Sequence, residues 1–471
     1  MKNAISLLAL SVSLAVSGAT FAGPAAPLPK DLPPFGEDKP LPVAQIEKRV
    51  LGNGLEVWVV PRDGMPHVDY VLAVRNAGFA ADPAGANGFA SLFAGLLTEG
   101  TAKRDSRAIA ETAQGYGGSV GAGASNDGVT VYADALASHA APMLELLAEI
   151  VRSPSFPENE VRLAQANALQ ALKANEAQPS FKANRALLAA TYGDHPYART
   201  QPTEASIGAV TPDLLRQAHG LRFHPDRALL VVTGRIDAQE AFRLAEAAFG
   251  DWTVAGAEPP ETPAARRTAQ PSRVLIQRDG SVQSTLRIGR PAIAATDPDY
   301  VPAVLTGTVL GGGFSSRVNQ NLREDKGYTY GASAGFAPSR VGGRIQAGAD
   351  VRNEVTGAGL EEFFKEFTRL AAEPVPEEEL TDTKRYVAGG YLIGNQMQGS
   401  VAATLASNWL VGLPSDYLAN YVPRIREVSA EQVQAIAKEY FDPKDQSIIV
   451  VGDAATIAGQ LEPYGEFDVQ R

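Results

Sequence analysis

The sequence predicts an α/β (α+β roll) fold made of two homologous domains, each a largely antiparallel sheet with helices packed on one face. Three observations support this prediction: a mixed order of strand hairpins and helix pairs, an internal repeat, and a proline-rich break between the two copies. Strict strand–helix–strand alternation would instead indicate a parallel sheet, so the mixed order favours antiparallel pairing with the helices to one side.

The first half opens with a predicted hairpin. In LGNGLEVWVVP, two β-rich runs flank Asn53-Gly54, a dipeptide typical of tight hairpin turns. VDYVLAVR predicts a further strand, and Asp105 is placed to cap a helix. The remaining elements that we predict are strands near 118–124 and 128–134, helices over about 139–151 and 157–175, and the strand RALLVVTG.

An internal duplication links the two halves. The segment IGAVTPDLLRQAHGLRFHPDRALLVVTG (207–234) aligns with IREVSAEQVQAIAKEYFDPKDQSIIVVG (425–452) at a constant offset of 218 residues. Chance can produce one or two identities in one register, but not a series. The matched pairs are Ile207 and Ile425, Val210 and Val428, Phe223 and Phe441, Pro225 and Pro443, Val232 and Val450, and Gly234 and Gly452.

The break between the copies is TVAGAEPPETPAARRTAQPSR, residues 253–273. Its four prolines and small or polar residues are typical of a linker. The sequence therefore predicts an N-terminal domain over 45–252 and a C-terminal domain over 274–465, joined by this linker.

The N-terminus predicts export. Residues 1–22 combine a positive Lys2, a short apolar run and a small-residue cleavage site near Ala22, which is the pattern of a cleavable signal peptide. A proline-rich lead-in follows over 23–44. No later segment reaches membrane-spanning length and there is no cysteine for a lipid anchor or a disulfide. We therefore expect a periplasmic or secreted protein without a membrane anchor.

The bulk composition narrows the function further. The chain has 471 residues, 45% of them hydrophobic and 20% charged, as in ordinary globular proteins. Its net charge of -11 argues against a nucleic-acid partner, which requires a basic face.

One early helix draws attention because it carries no reactive group. In NGFASLFAGLLTEGT, residues 87–101, apolar side chains recur at helical spacing and Asn87 is placed to cap the helix. The positions between the apolar residues hold only small side chains, so the helix can pack but cannot bind a metal or move a proton.

This helix, the two halves and the linker resemble the pitrilysin/insulinase-type zinc peptidases, which include the subunits of mitochondrial processing peptidase. The resemblance extends over about 45–465 and implies two domains that form a clamshell. In active members the helix reads H-x-x-E-H, whose histidines bind zinc and whose glutamate activates water. Here the two ligand positions fall on Ser91 and Gly95, and the position of the base falls on Ala94.

The second, distant zinc ligand of the family is also missing from the sequence. Its position falls near Gln170 or Ala171, and no carboxylate occurs from 161 to 175. The resemblance therefore implies a zinc-lacking subunit with no cofactor of its own. The five histidines form no H-x-x-E-H or H-x-H pair, and we expect them at surface or loop positions.

A second group of candidate functional residues lies in LGGGFSSRVNQNLREDKGYTYGASAGF, residues 310–336. Gly311–Gly313 permit a sharp turn, and Gly327 can end the helix so that the chain reverses into a strand. This reversal brings Arg323 and Tyr330 back towards each other. The alternative is that Arg323 is a helix-surface residue paired with Glu324 and that Tyr330 is an ordinary strand aromatic.

The seven-residue spacing of this pair resembles the R/Y pair of the family. The resemblance implies that Arg323 and Tyr330 bind the peptide carbonyl and its oxyanion in trans, and that Gly311, Gly312 and Gly313 contact substrate. We therefore predict a non-zinc subunit of a heterodimeric peptidase, inactive alone. Its partner would be a homologous zinc-bearing H-x-x-E-H chain and its substrates extended peptides. The alternative is a non-catalytic peptide-binding or structural scaffold protein.

Overall fold

The computed structural model describes residues 45–254, 256 and 260–471, and the chain from Val43 to Arg471 forms one compact unit. The predicted signal peptide (1–22) and lead-in (23–44) lie outside the described residues. The predicted domain boundaries also stay a prediction.

The first half has the predicted order of hairpins and helix pairs. Its strands are β1 (Glu47–Val50), β2 (Glu56–Pro61), β3 (His67–Arg75), β4 (Ser119–Ala124), β5 (Gly128–Leu136) and β6 (Ala228–Gly234). Its helices are α1 (Phe89–Leu96), α2 (Ser106–Gly115), α3 (Ala140–Arg152), α4 (Glu158–Glu176), α5 (Pro179–Tyr192), α6 (Glu204–Gly208), α7 (Pro212–Arg222) and α8 (Ala238–Phe249).

The second half follows the same order with small variations. Its strands are β7 (Arg273–Gln277), β8 (Gln283–Gly289), β9 (Pro291–Ala292), β10 (Thr329–Ser339), β11 (Gly342–Arg352), β12 (Ser447–Gly452) and β13 (Asp468–Gln470). Its helices are α9 (Tyr300–Gly307), α10 (Arg317–Asn319), α11 (Thr356–Ala372), α12 (Glu377–Gly394), α13 (Gln398–Leu410), α14 (Tyr417–Glu427), α15 (Ala430–Tyr440) and α16 (Ala454–Leu461).

Each half contributes one sheet. The first has the strand order β1-β2-β6-β3-β5-β4, and the second runs β10-β11-β8-β12-β7-β13 with β9 paired to β11. Most neighbours are antiparallel. The parallel pairs are β2 with β6 in the first sheet, and β7 with both β12 and β13 in the second. The predicted α/β class with two largely antiparallel sheets is confirmed.

The duplication continues beyond the two aligned segments. The offset of 218 residues that aligns α7 with α15 also places α5 opposite α13 and α4 opposite α12. The parallel pair β2–β6 likewise corresponds to β7–β12.

Both faces of the first sheet are buried, which explains why its strands are apolar at nearly every position. Along β3, Tyr70 and Leu72 point into the core formed with the first-half helices, whereas Val71 and Ala73 point to the opposite face. Period-two alternation sends successive side chains to opposite faces. A one-sided sheet would leave the second set in water, so another element must cover it.

A helix from the second half supplies that cover. Helix α13 packs against β3 and β6, and Trp409 and Leu405 join Val71 and Val231 in one buried cluster. The guanidinium of Arg75 lies 3.6 Å from the centre of the Trp409 ring and donates to its carbonyl oxygen.

The exchange between the halves is reciprocal. Helix α5 of the first half packs on β12 and β8 of the second sheet, where Leu187 contacts Ile276 and Ile449. Since α5 and α13 occupy equivalent positions in the two copies, each half lends the same helix to the other. Sequence reasoning placed helices on one face only and did not foresee this exchange.

The described part of the linker, from residue 260 onwards, is bonded to both halves. The Ala265 nitrogen donates to the Val341 carbonyl oxygen at 2.9 Å, in the tight connection between β10 and β11. Arg340 in the same connection donates to Glu261 at 3.0 Å and to Asn76 at 2.6 Å. These bonds tie the linker, the first half and the second-half hairpin together.

Candidate functional site

The helix without reactive groups forms as predicted, but its N-terminus is capped by a different residue. Asp82, not Asn87, accepts the Ala90 nitrogen, at 3.0 Å. Gly88 precedes the helix with a φ of 72°, in the left-handed region that favours glycine. The sequence did not indicate this cap because Asp82 lies eight residues before Ala90, whose N–H it accepts, beyond the reach of a local capping pattern.

A buried ion pair supports this N-terminus. Arg222 and Asp82 are both buried, 3.1 Å apart, and the guanidinium also lies over the rings of Phe89 and Phe93, at 5.1 and 5.6 Å. Burial raises the pKa of Asp82 to about 6, against the opposing effect of Arg222. The helix is thus held by its cap and by its apolar face, independently of any metal.

The residues that the family resemblance assigns to the zinc-ligand positions lie on one side of α1. Ser91 and Gly95 share the exposed side of α1, one turn apart, while Ala94 is fully buried. A hydroxyl and a hydrogen atom cannot replace two imidazoles as zinc ligands, and the Ala94 methyl group cannot take a proton from water.

Helix α4 contacts α1, as a helix carrying the distant ligand would have to do. Gln170 and Ala171 are both exposed. The carboxylates near the end of α1 are instead Glu99 and Glu160: burial and the charge of Glu160 raise the pKa of Glu99. Across residues 45–254, 256 and 260–471, no group of three or more His, Asp, Glu or Cys side chains is arranged to hold a metal ion.

Two of the histidines have buried or half-buried surroundings. His219 is a half-buried residue of α7, so the expected surface or loop position is wrong for it; it bonds to the Val151 carbonyl oxygen at 2.7 Å, and burial lowers its pKa. His224 lies in the loop after α7, as expected, but its side chain is buried.

The segment of the second half that contains the glycines, Arg323 and Tyr330 has an unusual backbone. Two π-helical segments, Thr308–Gly312 and Gln320–Asp325, flank the glycine and serine motif. The π-helix is rare and occurs frequently at functional sites. Sequence reasoning predicted one regular helix here, because no sequence pattern distinguishes five-residue from four-residue hydrogen bonding.

The three glycines of this motif have different surroundings. Gly311 is buried and forms a bridge with Ala334 of β10, and a Cβ atom at Gly311 would overlap the backbone nitrogen of Ala334. Gly312 is exposed, and Gly313 lies against the exposed ring of Tyr386. The structure therefore gives Gly311 a packing role, while substrate contact by the glycines stays a prediction.

The chain reverses after the second π-helical segment as predicted. Gly327 has a φ of 62°, and Tyr328 donates back to the Leu322 carbonyl oxygen at 2.8 Å. The reversal does not join Arg323 to Tyr330: within the described part of the chain, the two side chains share no hydrogen bond and no ring contact.

Each member of the pair has its own environment. The Arg323 guanidinium lies 4.6 Å from the Phe314 ring centre, and its Nε is 3.2 Å from Glu324 Oε1. Tyr330 is 91% exposed. The ion pair with Glu324, which the alternative interpretation expected, is present. Both donors face outward from this chain, where a group from another molecule can reach them.

One further feature of the first half was not predicted. Strand β4 ends the first sheet, and no strand of the described chain pairs with its outer edge. Its residues, Ser-Val-Gly-Ala-Gly-Ala, are small and partly or fully exposed. Natural edge strands are usually protected by lysine, proline or a bulge, so this edge is open to an added strand.

Fold and site together define a class: a duplicated α/β protein with the helix of a metallopeptidase and without its metal ligands. The model of the insulinase family (peptidase family M16) matches residues 66–202, and the model described as the peptidase M16 inactive domain matches residues 209–387. The chain belongs to the peptidase M16 (insulinase) family.

Relatives carry both peptidase and non-peptidase names. A chain of Bacillus subtilis named an uncharacterized zinc protease is 26% identical, over 75% of this chain and 86% of its own length. A non-peptidase homolog of Helicobacter pylori is 22% identical, over 81% of this chain and 88% of its own. These findings and the lost ligand positions fit a zinc-lacking, non-catalytic homologue.

Solved structures agree on the fold. A peptidase M16 inactive domain from Pseudomonas fluorescens superposes with a TM-score of 0.80 at 26% identity, covering 87% of this chain and 98% of that one. A Helicobacter pylori protease gives a TM-score of 0.81 at 19% identity, covering 87% and 99%. In the described part of this chain, no helix combines the length and apolar character that a membrane span requires.

Proposed function

We propose that this chain is the non-zinc subunit of a heterodimeric peptidase, whose homologous partner brings the zinc and the H-x-x-E-H helix. This chain closes the substrate chamber and presents Arg323 and Tyr330 to the peptide. The observation that carries the proposal is the contrast on one chain between emptied ligand positions on α1 and an outward-facing pair of donors. Zinc belongs to the partner in this proposal, and this chain requires no cofactor.

The interlocked halves support a chamber formed with a second chain. Opening the two halves of this chain like a hinge would expose Trp409 and Leu187, each buried by the other half's sheet. It would also break the bonds from the linker to Val341 and Arg340. Exposing such large apolar side chains costs several kcal/mol, on the order of 2 per residue. The substrate chamber of this proposal therefore forms between two whole chains, while the two halves of this chain stay packed together.

Arg323 and Tyr330 have the chemistry that the proposal requires. A guanidinium and a phenol both donate hydrogen bonds to a carbonyl oxygen, and donate more strongly to the oxyanion that forms when the carbonyl is attacked. The surface pair with Glu324 does not prevent this, because exposed ion pairs contribute only about 0 to 1 kcal/mol. Gly312 and Gly313, beside Phe314, would let a peptide backbone approach closely.

The second candidate function is a peptide-binding scaffold without any catalytic task. The specific observation in its favour is the open edge of β4, which can accept an extended peptide as an added strand. This candidate predicts peptide binding by the chain alone. Hydrogen exchange at the amides of Ser119–Ala124, with and without labelled casein peptides, measures such binding directly.

Export is part of the proposal. The signal-like residues 1–22 would direct the chain to the periplasm, or outside the cell, with cleavage near Ala22. Cell fractionation and N-terminal sequencing of the mature protein test this. A cytoplasmic chain that retains residue 1 would contradict it.

The main test reconstitutes the pair. This chain is mixed with the H-x-x-E-H homologue of the same genome, and cleavage of fluorescein-labelled casein is followed. We expect cleavage only in the mixture. Arg323→Ala and Tyr330→Phe should each lower kcat about tenfold or more, the usual loss for one oxyanion donor being about 100- to 1,000-fold.

Matched substitutions serve as controls. Arg243→Ala removes an exposed arginine from an ion pair with Glu240 on α8, and Tyr132→Phe removes the hydroxyl group of a half-exposed tyrosine on β5, in the first half. Neither should change kcat. Cleavage by the mixture that is unaffected by both Arg323→Ala and Tyr330→Phe would refute the catalytic part. A mixture that neither associates nor cleaves would refute the subunit role.

A further inference from the structure

A buried polar cluster lies between the π-helical segment that carries Arg323 and helix α11. The side-chain amide of Asn321 donates to Glu362 Oε2 and to Glu366 Oε1, each at 2.8 Å. The two glutamates lie four residues apart on α11, so they share one face of that helix. All three residues are at least 91% buried. The Asn321 amide nitrogen and the two carboxylates therefore satisfy one another, whereas Asn321 Oδ1 has no hydrogen-bond partner among the described residues.

The same glutamate reaches the other end of the π-helical turn. Lys326 Nζ lies 3.2 Å from Glu362 Oε1, and the Lys326 backbone nitrogen donates to the Asn321 carbonyl oxygen at 3.0 Å. This five-residue bond is the one that closes a π-helical turn. Glu362 therefore contacts both residues that close the turn, and Arg323 lies inside it.

The charges of the cluster are balanced locally. Lys365 lies 3.2 Å from Glu362, and Arg369 lies 2.7 Å from Glu366. Burial alone would raise the pKa of Glu362, yet hydrogen bonds from Asn321, Lys326 and Lys365 bring it below its usual value. Glu362 is thus an ionised acceptor, and hydrogen bonds to ionised acceptors are the strong kind.

We infer that Asn321, Glu362 and Glu366 form a clamp that keeps this segment π-helical and so positions Arg323 over Phe314. A π-helical turn holds more residues than an α-helical one. Relaxation to α-helical bonding would therefore rotate Arg323 about the helix axis and away from the Phe314 ring. The three clamp residues are positioning residues, and the inference rests on the proposed role of Arg323.

The first test measures the clamp without reference to any activity. In the full chain, Asn321→Ala should accelerate amide hydrogen exchange across residues 322–328 by about tenfold or more, because the turn opens locally. The matched control is Asn420→Ala, which removes a similar amide–carboxylate bond from the exposed helix α14. Unchanged exchange over 322–328 would overturn the inference.

A milder variant guards against global unfolding. Lys326 is exposed, so Lys326→Ala should leave the fold intact and still accelerate exchange over the same residues by about threefold or more. If Asn321→Ala unfolds the chain, the Lys326→Ala result decides the question, and unchanged exchange in it overturns the clamp.

The second test asks whether the clamp acts through Arg323. In the reconstituted pair, Asn321→Ala should lower kcat for labelled casein about fivefold with Arg323 present, and should have no further effect in an Arg323→Ala background. Equal losses in both backgrounds would show a merely structural role and overturn the positioning inference. If Arg323→Ala alone has no effect, the proposed function of Arg323 fails, while hydrogen exchange still decides whether the clamp exists.

Discussion

The two halves of this chain share one element order but differ at the corresponding helix. In the first half, residues 89–96 form a regular α-helix. Its apolar face packs into the core, and only Ser91 and Gly95 are exposed. In the second half, the corresponding helix in the element order is α9 (Tyr300–Gly307), which runs on into the π-helical segment Thr308–Gly312 and ends at a glycine turn. The helix of the first half therefore packs but has no reactive side chain. The second half departs from regular α-helical geometry beside the motif that contains Arg323 and Tyr330.

The two sheets also differ at their corresponding edge strands, β4 and β10. The outer edge of β4 is open, whereas β10, at the corresponding end of the second sheet, is bridged by Gly311 at Ala334. The duplicated fold thus has two equivalent edges, of which one is bridged at a single residue and the other has no strand partner among the described residues. The comparison teaches that duplication fixes the scaffold while each copy's sites change independently.

The largest expected loss of stability comes from removing a side chain that holds α13 of the second half against the first sheet. Trp409→Ala should destabilise the chain by about 3 to 5 kcal/mol, because it empties the cluster between α13 and the first sheet and removes the contacts with Arg75 and Glu56. Urea denaturation followed by circular dichroism measures this. Tyr386→Ala, an exposed aromatic on α12, is the control. A loss below about 1 kcal/mol would contradict the exchanged-helix account.

The next effect concerns the support of α1 and depends on pH. Burial raises the pKa of Asp82 to about 6 from 3.8. Between these two pH values the carboxyl group is protonated in the folded chain and ionised in the unfolded chain. The stability from this group is fully present below about pH 4 and is lost as the pH rises through 6. Relative to Asp82→Asn, the free energy of unfolding should fall by up to about 3 kcal/mol between pH 4 and 7.

The wild-type chain and Asp82→Asn are compared at each pH, so that every other titrating group is common to both. Urea denaturation at half-unit pH steps gives the comparison. A difference between wild type and Asp82→Asn that stays constant or grows with pH would contradict the assigned direction.

The next comparison replaces one glycine in each half by alanine and measures the change in stability. Gly311→Ala should cost about 2 kcal/mol or more, since the added methyl group overlaps the backbone of Ala334 and either β10 or the π-helical segment must move. Thermal unfolding and the urea midpoint both report this loss. A neutral Gly311→Ala would show that the glycine turn is not packed as described.

The smallest effect has the opposite sign. At Gly95 an added Cβ meets no atom within 4 Å, so Gly95→Ala should stabilise the chain by about 0.5 to 1 kcal/mol, the usual gain of alanine over glycine inside a helix. The same urea measurement checks it. Destabilisation would reveal a contact at the emptied ligand position that the fold does not show.

Much of the scaffold was predictable because it depends on local patterns. The hairpin at Asn53-Gly54, the cap at Asp105 and the repeat at an offset of 218 each follow from turn chemistry, capping and periodicity. The exchange of α5 and α13 was not foreseen, although the continuous apolar runs of β3 and β6 already indicated a sheet buried on both faces.

The candidate site was predictable in composition but not in geometry. The emptied positions Ser91, Ala94 and Gly95 could be read from the alignment with the family motif. The π-helical turn around Arg323 could not, because it depends on Glu362 and Glu366, about 40 residues further along the chain. The spacing of Arg323 and Tyr330 correctly indicated a reversal at Gly327, yet did not reveal that Arg323 lies over Phe314 while Tyr330 is almost fully exposed.

The most direct test of the account counts zinc. The chain is purified alone and as a complex with its H-x-x-E-H homologue, and bound metal is measured by mass spectrometry. The account predicts no zinc on the chain alone and one zinc per complex, lost when the partner's own motif is mutated. One zinc on the isolated chain, or two per complex, would contradict it.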